Sequence, residues 1–134
     1  MKGIADTGFL VAFASAGDFH HGWAVKVAEQ IATPLLTCEA VLAETLFHLA
    51  DAEVVLAMVA DGLVIPAFDC NGHLAQLTAL ARRYRDRKPD LADLCLIRMS
   101  ELHPRHYVIT VDADFHIYRR NKREVIPLVC PPGS

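Results

Sequence analysis

The sequence predicts an α/β fold: a short parallel sheet covered by helices on both faces. Two observations carry this reading. Short, nearly continuous apolar runs recur along the chain, as in strands buried on both faces. Longer segments with helical spacing lie between them. The 134 residues match the length of one domain, 1–134, which buries roughly two-thirds of its unfolded surface.

The elements run in order along the chain. Met1-Lys2-Gly3-Ile4-Ala5 reads as a buried strand stopping at Asp6, and Gly8 to Ala16 as a short helix ended near Gly17. His21 to Ile31 places Trp23, Val27 and Ile31 on one helical face. Pro34-Leu35-Leu36-Thr37 is a second strand, with Thr37 placed to cap the next helix. Cys38 to Ala50 carries Val41, Leu42, Thr45, Leu46 and Leu49 at helical spacing. Ala52 to Ala60 is a further helix closed by Asp61-Gly62, and Leu63-Val64-Ile65 a third strand. Asp69 or Asn71 caps a long helix to Arg85, which Lys88-Pro89 breaks. Asp90 caps the helix Leu91 to Leu102, and Tyr107 to Thr110 is the fourth strand. Val125 to Val129 is the last, and its proline points to a short or edge position.

Composition narrows the function classes. The chain is 53% hydrophobic and 22% charged, which excludes disordered, collagenous and low-complexity classes. Its formal charge of −3 argues against a tail-like basic nucleic-acid binder but leaves room for a local basic patch. The four cysteines stand 32, 25 and 35 residues apart, without a C-x-x-C pair, so zinc knuckles and thioredoxin-like motifs have no support. Cys38 and Cys95 sit among apolar neighbours as core side chains, and the expected compartment is the cytoplasm, with reduced thiols. The N-terminus imitates a signal peptide ending in Ala14-Ser15-Ala16. However, Asp6 precedes an apolar run that is too short, from Gly8 to Ala14. No stretch is long and apolar enough for a membrane span.

Ligands of open α/β sheets bind beyond the carboxyl ends of the strands. Asp6 directly follows the first strand, and Asp112 lies two residues past the fourth. Taken alone, each reads more readily as a helix cap or turn former than as a ligand. Glu44 is harder to explain, because Leu42, Ala43, Thr45, Leu46 and Phe47 surround it. A carboxylate on so apolar a helix must be paired, neutralised or bound to a cation; His48, four residues on, is the candidate partner. Asp93 repeats the pattern within Leu91-Ala92-Asp93-Leu94-Cys95, three residues after the cap Asp90. Clustered carboxylates repel unless a cation holds them, and hard oxygen donors suit Mg²⁺ or Mn²⁺. An ion so held activates water for phosphodiester hydrolysis. No Ser/His/Asp pattern, Gly-rich phosphate loop or H-E-x-x-H supports another hydrolytic design.

These segments, taken together, resemble the PIN-domain family, and within it the VapC-type toxins of toxin–antitoxin pairs. They are Ile4-Ala5-Asp6-Thr7-Gly8-Phe9-Leu10, Leu42-Ala43-Glu44-Thr45, Lys88-Pro89-Asp90-Leu91-Ala92-Asp93 and Val108-Ile109-Thr110-Val111-Asp112-Ala113-Asp114-Phe115, with Asp18 to Ala24 matching the entry to the second helix. Order, spacing and length agree over essentially the whole chain. The resemblance implies a PIN-like three-layer α/β/α sandwich with a short, mainly parallel sheet, acting as a Mg²⁺- or Mn²⁺-dependent endoribonuclease. It implies Asp6, Glu44, Asp93 and Asp112 as the acidic quartet, Thr7 and Thr110 as supporting hydroxyls, and Asp90 and Asp114 as secondary candidates. The stretch between Thr110 and Phe115 is one residue shorter than is common in the family, so Asp112 and Asp114 stand as alternatives. A homodimer and an inhibitory antitoxin partner are also implied; the apolar faces of Ala52 to Ala60 and Leu74 to Arg85 suit either an interface or the core.

An acidic site facing RNA needs cations nearby. Arg82, Arg83, Arg85, Arg87 and Lys88 lead into the Asp90/Asp93 segment. Arg119, Arg120, Lys122 and Arg123 come after Asp112, with Tyr118 available for stacking. These two runs hold nine of the 13 Lys and Arg residues, which points to substrate contact, although cations at a helix end also complement its dipole. The seven histidines form no zinc pattern; His116 is the one nearest a proposed acid. Two rival readings remain. One is a non-catalytic PIN-like module that binds RNA or a partner. The other is a receiver- or phosphatase-like domain phosphorylated on Asp6, which Asp6-Thr7-Gly8 disfavours because no second acid stands beside it.

Overall fold

The structure, a computed structural model, describes residues 1–133; Ser134, the last position of the expected domain, lies outside them. The elements are β1 (Gly3–Ala5), α1 (Thr7–Ala14), α2 (His21–Gln30), β2 (Leu35–Thr37), α3 (Glu39–Leu49), α4 (Ala52–Ala60), β3 (Val64–Pro66), α5 (Leu74–Arg83), α6 (Leu91–Leu102), β4 (Tyr107–Ile109), β5 (Arg119–Arg120), β6 (Glu124–Val125) and β7 (Leu128–Val129). Short 3₁₀ turns occupy Cys70–His73, Arg85–Arg87 and Ala113–His116.

Five strands form one sheet in the order β3-β2-β1-β4-β7, with every neighbouring pair parallel. This is the expected α/β architecture. Parallel neighbours need crossovers, and right-handed crossovers put α1 to α4 on one face and α5 and α6 on the other. The packing agrees: α1 contacts α2 and α3, α3 contacts α4, and α5 contacts α6. The core lies between these layers, around Ile4, Leu10, Leu35, Leu96, Ile97 and Ile109, all fully buried. A Cβ added at Gly3 would lie 2.5 Å from Ile109 Cδ1 and 3.1 Å from Leu35 Cδ2, so the core side chains beside the central strand would have to shift to admit one. Cys38 and Cys95 are buried as expected, and all four cysteines are free thiols. No helix among the described residues is long and apolar enough to cross a membrane.

Several boundaries differ from the sequence-based expectation. The first helix runs from Thr7 to Ala14, because Asp6 already caps it, its carboxylate accepting from Thr7 N. Thr37 does not cap α3; its hydroxyl donates to the Ala5 carbonyl at 3.0 Å and ties β2 to β1. The long helix expected from Asp69 is interrupted. Asp69 caps only a 3₁₀ turn, and α5 begins at Leu74, since Asn71-Gly72 is poor helix-forming sequence. The expected strand from Val125 to Val129 divides. Glu124–Val125 pairs antiparallel with Arg119–Arg120, while Leu128–Val129 joins β4 at the sheet edge. Pro127 lacks the N–H a continuous strand would use; its carbonyl still accepts from Val108 N at 2.9 Å.

Candidate active site

The sheet order reverses direction beside β1. The chain first builds outward to β2 and β3, then crosses to β4 on the other side. Such a switch point opens a crevice at the carboxyl ends of the two strands. Asp6 enters it from β1 and is only 7% exposed. Its Oδ1 accepts from Thr7 N at 2.7 Å and its Oδ2 from Thr110 Oγ1 at 2.6 Å. The same Thr110 oxygen accepts from Asp112 N at 2.9 Å. One hydroxyl therefore links the acids that come after the two strands.

The helices bring three more carboxylates. Glu44 Oε2 on α3 accepts from Thr7 Oγ1 at 3.0 Å. The Glu44–His48 pair, the alternative reading of Glu44, does not form among the described residues. Nor is α3 apolar on every side facing the core, because Leu46 and Phe47 are exposed. At the start of α6, Asp90 and Asp93 form a reciprocal capping box: Asp93 N donates to Asp90 Oδ1 at 2.8 Å, and Asp90 N to Asp93 Oδ2 at 3.3 Å. α3 and α6 pack together, which brings Glu44 to the α6 N-terminus.

Asp6, Glu44, Asp90, Asp93 and Asp112 line one cleft of about 340 Å³. Thr7 lines it too, and Thr110 is buried beneath. Asp114 is not in the lining; it pairs with Arg87 at 3.4 Å. Gly8 forms part of the wall, where any side chain would collide with Val111. Val11, Asp18, His20 and His48 complete the lining, and apart from His48 none of the four carries a sequence signal that assigns it to the site. The four-residue spacing of His48 from Glu44 is the one sequence signal that places His48 on the cleft-facing side of α3.

Positive charge is scarce inside this cleft, and the acids titrate accordingly. Burial pushes Asp6 up to about 6, against the opposing pull of the Thr110 and Thr7 hydrogen bonds. Burial, reinforced by the charges of Asp90 and Asp6, pushes Asp93 up to about 7. Glu44 is raised as well, first by burial and then by Asp90. Among the described residues, no three His, Cys, Asp or Glu side chains converge closely enough to grip an ion by themselves. The all-oxygen donor set and the open volume suit a hard divalent cation that keeps part of its water shell.

The basic runs are divided by the fold. Arg82, Arg83, Arg85, Arg87 and Lys88 are exposed. Arg83 and Arg85 donate to the carbonyls of Lys122 and Arg82, each at 3.3 Å. Arg119 spends its guanidinium on the carbonyls of His116, Ile117 and Tyr118. Arg120 is 5% exposed, bonded to the Ser100 and Pro104 carbonyls and to Glu124 at 2.7 Å. Arg120 thus ties the β5–β6 hairpin to the end of α6, and Arg119 closes the turn that precedes β5. Tyr118, expected as a stacking ring, is fully buried between Tyr84 and Phe115. His116 is exposed, with Cys130 Sγ 3.8 Å from its Nε2, and does not line the cleft.

The fold and this carboxylate cleft define a class: α/β proteins with an acidic cleft at the switch point of a parallel sheet. The family model of the PIN domain matches residues 4–121, and the chain belongs to the PIN-domain family. Among solved structures it is similar to Mycobacterium tuberculosis VapC20, a sarcin-ricin loop cleaving toxin. The two are 20% identical, with a TM-score of 0.70 over 83% of this chain and 90% of that one. No curated protein matches the chain.

Proposed function

We propose that the protein is a divalent-metal-dependent endoribonuclease that hydrolyses RNA phosphodiesters, and the toxin of a toxin–antitoxin pair. The observation that carries this reading is the gathering of five carboxylates, from β1, α3, α6 and the β4 end, in one cleft, with Asp18 a sixth in its lining. Membership of the PIN family and the fold shared with VapC20 support it. Asp6, Glu44, Asp93 and Asp112 would hold Mg²⁺ or Mn²⁺, with Asp90 beside them. Asp114, committed to Arg87, drops behind Asp112.

A divalent ion bound there would polarise the scissile phosphate and make a water a better nucleophile. The chain's own groups set the geometry. Thr110 and Thr7 donate to the carboxylates of Asp6 and Glu44 and fix their rotamers. The capping box does the same for Asp93. Of the five exposed cations before α6, Arg82 and Lys88 make neither a side-chain hydrogen bond nor an ion pair among the described residues, which leaves them available to RNA phosphates. A homodimer and an inhibitory antitoxin complete the reading.

The test is cleavage of single-stranded RNA by the purified protein. Activity with Mg²⁺ or Mn²⁺, its loss in EDTA, and its loss in Asp6→Asn and Asp93→Asn with the fold retained are expected. Full activity in both variants, or in EDTA, overturns the reading. Induced expression should arrest growth, and Asp6→Asn should relieve the arrest. The lack of three closely converging ligands favours one second reading, a non-catalytic module that binds RNA or a partner; metal-dependent cleavage separates the two.

A further inference from the structure

The cleft lacks one part of the chemistry a polyanion requires. None of its lining residues is Lys or Arg, so the side chains of the cleft itself offer the RNA no cationic contact. Phe19 and Phe47, 94% and 81% exposed, are the most exposed large apolar side chains among the described residues. Each immediately precedes a histidine that lines the cleft, His20 and His48. Each ring meets that histidine edge to face, with centroids 4.9 Å and 5.6 Å apart. The same Phe-His arrangement thus occurs twice on the rim, once in the α1–α2 turn and once near the end of α3.

The exposure of Phe19 does not come from a loose loop. His20 N donates to Asp18 Oδ1 at 2.8 Å, and His21 Nδ1 lies 2.8 Å from the Ala12 carbonyl. The His20 ring also contacts Trp23, which packs edge-on against core Phe9. The turn holds an apolar ring in water, at a hydrophobic cost that a bound partner would relieve. In sequence Phe19 is flanked by Gly17, Asp18 and His20, a single large apolar residue among small and polar ones. A protein interface asks for a continuous apolar core; a nucleobase asks only for a face on which to stack.

We propose that Phe19 and Phe47 are stacking platforms for unpaired bases of the RNA, flanking the phosphate held in the acidic cleft. This rests on the ribonuclease reading. Stacking on an exposed ring requires a base free of its duplex neighbours, so the two rings favour single-stranded or looped RNA with little regard for base identity.

Steady-state cleavage of a single-stranded oligoribonucleotide and of the same sequence as a duplex tests the proposal, in the full chain with Mg²⁺ or Mn²⁺. Phe19→Ala and Phe47→Ala should each raise KM for the single strand roughly tenfold, with kcat changed less than about twofold. Phe→Trp at either position should restore KM and Phe→Leu should not. A 2-aminopurine placed in the oligonucleotide should lose its quenching in the alanine variants. Unchanged KM in both alanine variants, rescue by leucine as complete as by tryptophan, or a duplex cleaved as well as the single strand overturns the proposal. So does an altered oligomeric state in Phe47→Ala with KM unaffected, which would assign that ring to a protein interface. If the wild-type chain cleaves no RNA with either metal, the ribonuclease reading fails and the stacking assignment falls with it. If it cleaves normally and the phenylalanine variants match it, only the stacking assignment fails.

Discussion

Thr110 donates its hydroxyl hydrogen to Asp6 Oδ2 at 2.6 Å across 104 residues of sequence. The bond exists because β1 and β4 are parallel neighbours in register, Ala5 opposite Ile109, so the residues after them emerge side by side. The bond also holds down a carboxylate that burial drives upward.

Thr110→Val keeps the shape and removes the hydroxyl. It leaves Asp6 Oδ2 and Asp112 N without their buried partner, which costs about 1–3 kcal/mol. The Asp6 carboxyl should then titrate higher still, and metal-dependent cleavage should fall at least tenfold while Thr110→Ser stays near wild type. Denaturant midpoints and cleavage rates of the three proteins check this.

Asp6 also makes the metal-free protein sensitive to pH. Its folded value of about 6 lies above the ordinary 3.8, so the folded state binds the proton more tightly than the unfolded chain does. Its stabilising contribution is complete below about 3.8 and disappears as pH rises through about 6. The gap corresponds to about 3 kcal/mol. In EDTA, thermal stability should fall between pH 4 and 7, and the fall should flatten in Asp6→Asn. Added Mg²⁺ should raise the Tm more at pH 8 than at pH 5, because Asp6 and Asp93, raised to about 6 and about 7, are ionised only at the higher pH. Equal effects at both pH values would show that these acids do not hold the ion.

Arg120 and Arg82 should separate cleanly although both belong to basic runs. Arg120→Ala strips partners from the Ser100 and Pro104 carbonyls and from Glu124 and should cost about 2 kcal/mol, with little change in KM for RNA. Arg120→Lys should lose most of the same stability, since an ammonium lacks the fork. Arg82→Glu should instead leave stability within about 0.5 kcal/mol and raise KM with a shallower salt dependence. A chemical denaturation series and KM at two salt concentrations distinguish the two patterns.

Tyr118 carries a buried hydroxyl with no partner among the described residues, and burial raises its phenol well above the usual tyrosine range. Tyr118→Phe removes the orphan while keeping the ring between Tyr84 and Phe115. It should leave stability equal or up to about 1 kcal/mol higher. A clear loss of stability would mean that the hydroxyl is bonded through water.

The parallel α/β fold was legible in the sequence because buried strands and amphipathic helices differ in period, and period is a local property. Asp6, Glu44, Asp93 and Asp112 could be singled out for a similar reason, as acids at strand ends or among apolar helix neighbours. Other features had no local signal. Charge runs look alike whether a guanidinium faces solvent, as at Arg82, or is folded onto carbonyls, as at Arg120; only the β5–β6 hairpin decides. Tyr118 and Phe19 are both aromatic residues in polar stretches, yet one is buried and the other stands 94% exposed. The choice of Asp112 over Asp114 for the cleft depended on where Arg87 lay after folding. The sequence by itself determined the periodicities and the residue types that could serve a hard cation. Tertiary structure alone decided which of them converge, because burial, register and hydrogen-bond partners arise between segments that are far apart along the chain.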